Sequence, residues 1–182
     1  VSITYEPEGA GAADSDCSPG GGAKAEVAPL SRTNTTDVTF NSGGGDSDVI
    51  EVLWTTPTSE PNVADWPSGN YRGSVEISGI GAEQSFKIQL VRINSACVIQ
   101  ETLGTSGSFS TTGPHLFSVN IDPSAGAAGD RYQMRLLGSR GASHGNQTCT
   151  IVVNDVDTFM DGPWVITPVF QFKGKPNIPL RM

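Results

Sequence analysis

The chain is short of positive charge, of histidine and of any long apolar run. Its 182 residues carry 11 Lys and Arg against 19 Asp and Glu, a formal net charge of −8. A nucleic-acid surface needs clustered Lys and Arg, so the composition argues against nucleic acid as a partner. It argues equally against electrostatic attachment to an anionic membrane. No apolar run approaches the roughly 20 residues of a membrane helix. The two histidines, His115 and His144, leave little from which to build acid–base catalysis. No serine sits in a nucleophile-elbow context. The chain therefore reads as a non-enzyme with no cofactor. Its first residues, Val1-Ser2-Ile3-Thr4-Tyr5-Glu6, lack the charged and apolar regions of an export signal, which suggests synthesis in a cytoplasm without export.

Cysteine is also scarce: Cys17, Cys97 and Cys149. The count is odd, with no CxxC and no nearby His, so neither a disulfide framework nor a zinc site is expected. Cys97 and Cys149 lie in strand-like patterns, where a free thiol acts as a small buried hydrophobe. A bridge between them would need neighbouring strands. Cys17 reads as an exposed thiol.

What is abundant is Gly (22) and Pro (12). The first 36 residues read as an extended arm rich in Gly, Ala and Pro, with few large apolar residues. Such a stretch does not bury enough surface to offset its ordering entropy, so a neighbouring subunit is expected to hold it. The first 23 residues carry four acids and no Lys or Arg, and the last ten carry three bases and no acid. Residues 173–182 read as a second extended tail, of a charge that suits pairing with a neighbour's arm. The apolar anchors in these arms would be Ile3, Tyr5, Val27, Leu30, Ile178 and Leu180.

Between the arms, residues 37–172 read as one all-β domain with its core in 66–172. Period-2 alternation marks the strands. Phe86, Ile88 and Leu90 point one way and Lys87 and Gln89 the other. His115 to Ile121 alternates through Phe117, Val119 and Ile121. Arg131, Gln133 and Arg135 are placed on the wet face of another strand, and Cys149, Ile151 and Val153 share a face in the next. Trp164 to Phe172 reads as the closing strand. The connectors are Gly- and Pro-bearing turns. One wet face per strand and strands ten or more residues apart predict an antiparallel β-sandwich of jelly-roll or Greek-key wiring.

The candidate sites are sparse. Asp14/Asp16, Asp46/Asp48 and Asp155/Asp157 alternate as calcium ligands do, but none matches an EF-hand loop, so acidic turns are expected and no metal site. Asn34 and Asn146 fit a glycosylation sequon by composition alone. Trp54 and Trp164 read as core. Trp66, in Asp65-Trp66-Pro67-Ser68, is the tryptophan expected to be exposed. With His144 and Asn146 it would form the site of the alternative reading, a carbohydrate-binding module of a fibre or adhesin.

The stretch from Trp66 to about Ile166 resembles the β-sandwich modules of tailed-bacteriophage head decoration, or cement, proteins. The resemblance is carried by Trp66 to Tyr71, by Phe86 to Ile93 (FKIQLVRI), by Gly129 to Leu136 (GDRYQMRL) and by His144 to Thr148. It implies a non-enzymatic homotrimer on the outer surface of a virion, made in the host cytoplasm. The implied partner is the major capsid protein, held in part by extended arms. The resemblance supplies no catalytic residues.

Overall fold

The computed structural model describes residues 3–10, 17, 24–42, 48–58, 60–61, 63, 65–140, 147–153 and 156–164. These residues form strands and no helix. In chain order they are β1 (Ile3–Tyr5), β2 (Lys24–Val27), β3 (Val38–Ser42), β4 (Val49–Thr55), β5 (Asp65–Trp66), β6 (Gly69–Gly79) and β7 (Gln84–Ile93). Then come β8 (Ile99–Thr105), β9 (Gly113–Ile121), β10 (Ser124–Ala125), β11 (Arg131–Arg140), β12 (Gln147–Val152) and β13 (Phe159–Gly162).

Two sheets pack face to face as a β-sandwich. The front sheet follows the path β1-β13-β6-β12-β3, with β9 on β6 as well, and the back sheet runs β2-β4-β11-β7-β8. A small ribbon pairs β5 with β10. Every pairing is antiparallel except β2 on β4. In the front sheet, β6 spans the full height of the body. Its Gly69–Ile77 stretch pairs with β9. Its other edge is shared end to end by β12 and β13, which run in the same direction. Thr158, just before β13, links the two at β6. Its hydroxyl accepts from the Glu76 backbone N–H at 3.0 Å and donates to the Val152 carbonyl.

The alternating positions fill the space between the sheets. Phe86, Ile88 and Leu90 of β7 meet Tyr71, Val75 and Ile77 of β6, with Cys149, Ile151 and Val153 alongside. At Gly73 of β6 side chains of the back sheet press against the backbone. A Cβ there would lie 2.6 Å from Met134 Sδ and 2.8 Å from Leu90 Cδ2, so only glycine fits. At one end of the core five aromatic rings pack together. Trp164 meets Tyr132 at 4.8 Å, Tyr71 at 5.2 Å, Trp66 at 5.3 Å and Tyr5 at 6.0 Å, all near edge-to-face. Each such pair contributes about 0.5–1.5 kcal/mol beyond its buried area.

Four expectations are corrected here. First, the described part of residues 1–36 is built into the body rather than extended as an arm. β1 pairs with β13, β2 pairs with β4, and Tyr5 and Ala28 are fully buried. The acids of this segment serve the fold. Glu8 is buried and accepts from Thr33 N–H at 2.7 Å, from Thr33 Oγ1 and from Asn34 N–H. Glu6 accepts from Arg32 N–H at 2.8 Å, and Trp54 Nε1 donates to the Glu8 carbonyl at 3.2 Å.

Second, Cys17 is neither exposed nor free. It forms a disulfide with Cys97 and, with Val91 and Ile93, makes a small cluster of its own apart from the main core. Cys149 is the free cysteine and is buried. Cys97 lies in a turn at φ 63° rather than in a strand.

Third, Arg131 and Gln133 are buried. Arg131 Nε donates to the Thr56 carbonyl at 2.7 Å, and Gln133 Nε2 to Thr55 Oγ1 at 2.8 Å. Fourth, Trp66 is fully buried. It lies in β5 opposite Ser124 of β10, Tyr71 stacks on it at 5.8 Å, and the Arg92 guanidinium lies 5.9 Å over its ring. Trp54 and Trp164 are in the core as expected. Of the proposed closing strand only Trp164 falls within the described residues.

Candidate functional site

Three adjacent strands line a concavity. Register places Thr4 of β1 beside Asp161 of β13, and Asp161 beside Arg72 of β6. Their sequence neighbours Tyr5, Met160 and Tyr71 point into the core, so by alternation these three point outward. Arg72 grips Asp161 through two nitrogens. Nε lies 2.9 Å from Oδ1 and 3.1 Å from Oδ2, and Nη2 also donates to Oδ2. The Asp161 side chain is 2% exposed and that of Arg72 41%, so the carboxylate is sealed beneath the guanidinium. This bond raises the arginine above its ordinary value. The Arg72 guanidinium carbon also lies 5.6 Å from the centre of the Phe159 ring, a cation–π contact.

A second arginine closes the other side. Arg32 Nε donates to the Pro7 carbonyl at 2.8 Å and Nη2 to the Thr158 carbonyl at 2.9 Å. The Glu6 carboxylate, already bound to the Arg32 N–H, faces the same space. Together with Val156 at the rim these groups enclose a pocket of about 300 Å³.

A different feature lies on the far edge of β6. β9 pairs only with β6, and its other edge has no strand beside it among the described residues. Its sequence, Gly-Pro-His-Leu-Phe-Ser-Val-Asn-Ile, carries no Lys, Arg, Asp or Glu. Leu116 faces outward at 60% exposure. Phe117, Val119 and Ile121 pack on the core but stay only half-buried. Protected sheet edges are short or carry charge, and an open, uncharged one is a template for pairing. Pro114 blunts only the start of it.

The residues singled out from sequence fall in scattered places. Tyr5 is inside the core, Ile3 packs half-buried against it, Val27 is half-buried in β2, and Leu30 is exposed. Ile178, Leu180, His144 and Asn146 lie outside the described residues. Trp66, being buried, is no platform for a sugar. The groups that do converge (Glu6, Arg32, Arg72, Asp161) were not anticipated as a site. The one sequence signal for them is Arg72 and Asp161 on outward positions of strands whose pairing the sequence does not reveal.

Other reactive groups are committed elsewhere. His115 stacks on Phe109 at 3.8 Å, and its Nε2 lies 2.7 Å from the Thr111 carbonyl. The Cys149 thiol is raised by burial and donates to Gln84 Oε1 at 2.7 Å. Asp48 pairs with Lys87 at 2.8 Å. Among the described residues no three His, Cys, Asp or Glu side chains come together as a metal site would require.

No protein-family model matches this chain, and no curated protein matches it.

Proposed function

We propose that the chain is a non-enzymatic structural protein of a virus particle, a capsid decoration protein that binds the outer capsid surface and stabilises the head. The observation that carries this reading is β9. A nine-residue edge free of charged side chains, with Leu116 exposed and Phe117, Val119 and Ile121 half covered, suits a body that is completed by another protein chain. The partners under this reading are further copies of itself, three by the resemblance to decoration proteins, and the major capsid protein.

The disulfide supports the same setting. Disulfides persist on virion and cell surfaces and are rare in reducing cytosol, so a Cys17–Cys97 bond suits a protein that works outside the host. The interlocked amino-terminal segment supports it too, because a rigid body transmits load between neighbours better than a tethered one. Of the anchors expected from sequence, Leu30 is exposed and available to a partner, whereas Tyr5 is spent on the protein's own core. Contacts that are individually weak hold firmly when several act at once.

The test is particle binding. Purified protein is mixed with undecorated capsids, and the bound fraction is measured by sedimentation for wild type and for Leu116→Lys. Wild type is expected to sediment with the capsids and the variant to stay in solution. Wild type that stays in solution overturns the reading.

A further inference from the structure

We infer that the pocket between β1, β6 and β13 is a binding site for a single neutral sugar unit. This does not rest on the decoration reading, and its test does not involve capsids.

The chemistry of the walls selects the ligand. Two guanidiniums, Arg32 and Arg72, face two carboxylates, Glu6 and Asp161. The formal charges cancel, so an anion such as phosphate finds no surplus positive charge to offset its desolvation. A purely apolar ligand would strip water from Glu6, Arg32 and Arg72 without replacing it. A sugar suits both limits, because it is uncharged and carries hydroxyls that donate and accept together.

Glu6 and Arg72 are each held in place yet keep capacity to spare. Arg72 is fixed by Asp161 through Nε and Nη2, and no bond within the described residues occupies its Nη1. Glu6 receives the Arg32 N–H on Oε2, and no bond within the described residues occupies its Oε1. The Thr4 hydroxyl stands beside them on β1, with no bond to it among the described residues. A fixed donor, a fixed acceptor and a hydroxyl around one space form the constellation that adjacent sugar hydroxyls require. Fixing them in advance reduces the ordering cost of binding.

Part of the lining is apolar. Phe159 belongs to it, and Val156 stands at the rim at 86% exposure. At that exposure its side chain is left to solvent, and the C–H face of a sugar ring would cover it. The volume of about 300 Å³ lies at the small end of ligand pockets, which fits one sugar unit rather than an oligosaccharide.

The experiment is a ¹H–¹⁵N chemical-shift titration of the full chain. The neutral probes are glucose, galactose, mannose and N-acetylglucosamine, compared with sialic acid and inorganic phosphate. At least one neutral sugar is expected to give saturable shifts centred on Thr4, Arg72, Thr158 and Phe159. Thr4→Trp fills the pocket and is expected to weaken binding at least about tenfold. Val156→Glu, on an exposed side chain that the fold does not use, is expected to do the same and serves alone if Thr4→Trp does not fold. The inference is overturned by no saturable shift with any neutral sugar, by phosphate or sialic acid moving the same signals as strongly, or by a sugar response that Val156→Glu leaves intact.

Discussion

Cys17 and Cys97 are joined by a disulfide across 80 residues of sequence, which pins the amino-terminal segment beside the turn between β7 and β8. Arg131, buried in β11, donates through Nη1 to the Cys17 sulfur at 3.4 Å, so the bridge is tied to the back sheet as well. Closing so long a loop restricts the unfolded chain, an effect of about 2–4 kcal/mol. Cys17→Ser with Cys97→Ser is expected to lower stability by that amount in denaturant titration. Adding reductant to wild type should reproduce the loss. Equal midpoints for oxidised wild type and the double variant would contradict the bridge.

Removal of residues 1–30 follows from the same segment. The deletion takes away β1, β2, half of the disulfide and the fully buried Tyr5 ring. Loss of one buried aromatic alone costs about 3–5 kcal/mol, a large share of the stability of an ordinary domain. The truncated chain is expected to lose its cooperative thermal transition and its near-ultraviolet circular dichroism. An arm that hung free would leave both intact.

Glu60 gives a pH dependence. Burial raises its carboxyl above the ordinary glutamate value, with the Tyr5 hydroxyl opposing in part. A raised carboxyl holds its proton more tightly in the folded chain than in the unfolded one. Folded stability therefore falls as pH climbs from the ordinary glutamate range through the raised value. Glu60→Gln keeps the shape and removes the charge. The melting temperature of the variant relative to wild type is expected to rise between pH about 4 and pH 7. Because the side chain is only partly buried, the change should be small, and a difference that falls over that range would contradict the assignment.

The strands with clean alternation were legible in the sequence. β3, β6, β7, β9, β11 and β12 lie over runs whose apolar residues fall two apart, β4 over a nearly continuous apolar run, and the sandwich class follows from them. β1 and β2 were not legible, because each is short and sits in Gly-rich chain that looks too poor in apolar residues to fold. What holds them is long-range: the Tyr5 ring against Trp164, and carboxylates of Glu6 and Glu8 bonded to backbone groups 25 or 26 residues on. The cysteine pairing and the burial of Trp66 likewise depend on which strands become neighbours. The pocket was hidden for the same reason, since Thr4, Arg72 and Asp161 meet only through the register of three strands far apart in the chain.

The central claim is that β9 presents an edge made to be covered by another chain, and solution mass tests it most directly. Light scattering on the purified protein across a dilution series is expected to give a stable mass near three 19.0 kDa chains, and Leu116→Lys to give a single chain. A wild-type mass of one chain at every concentration, unchanged by the substitution, would contradict the claim.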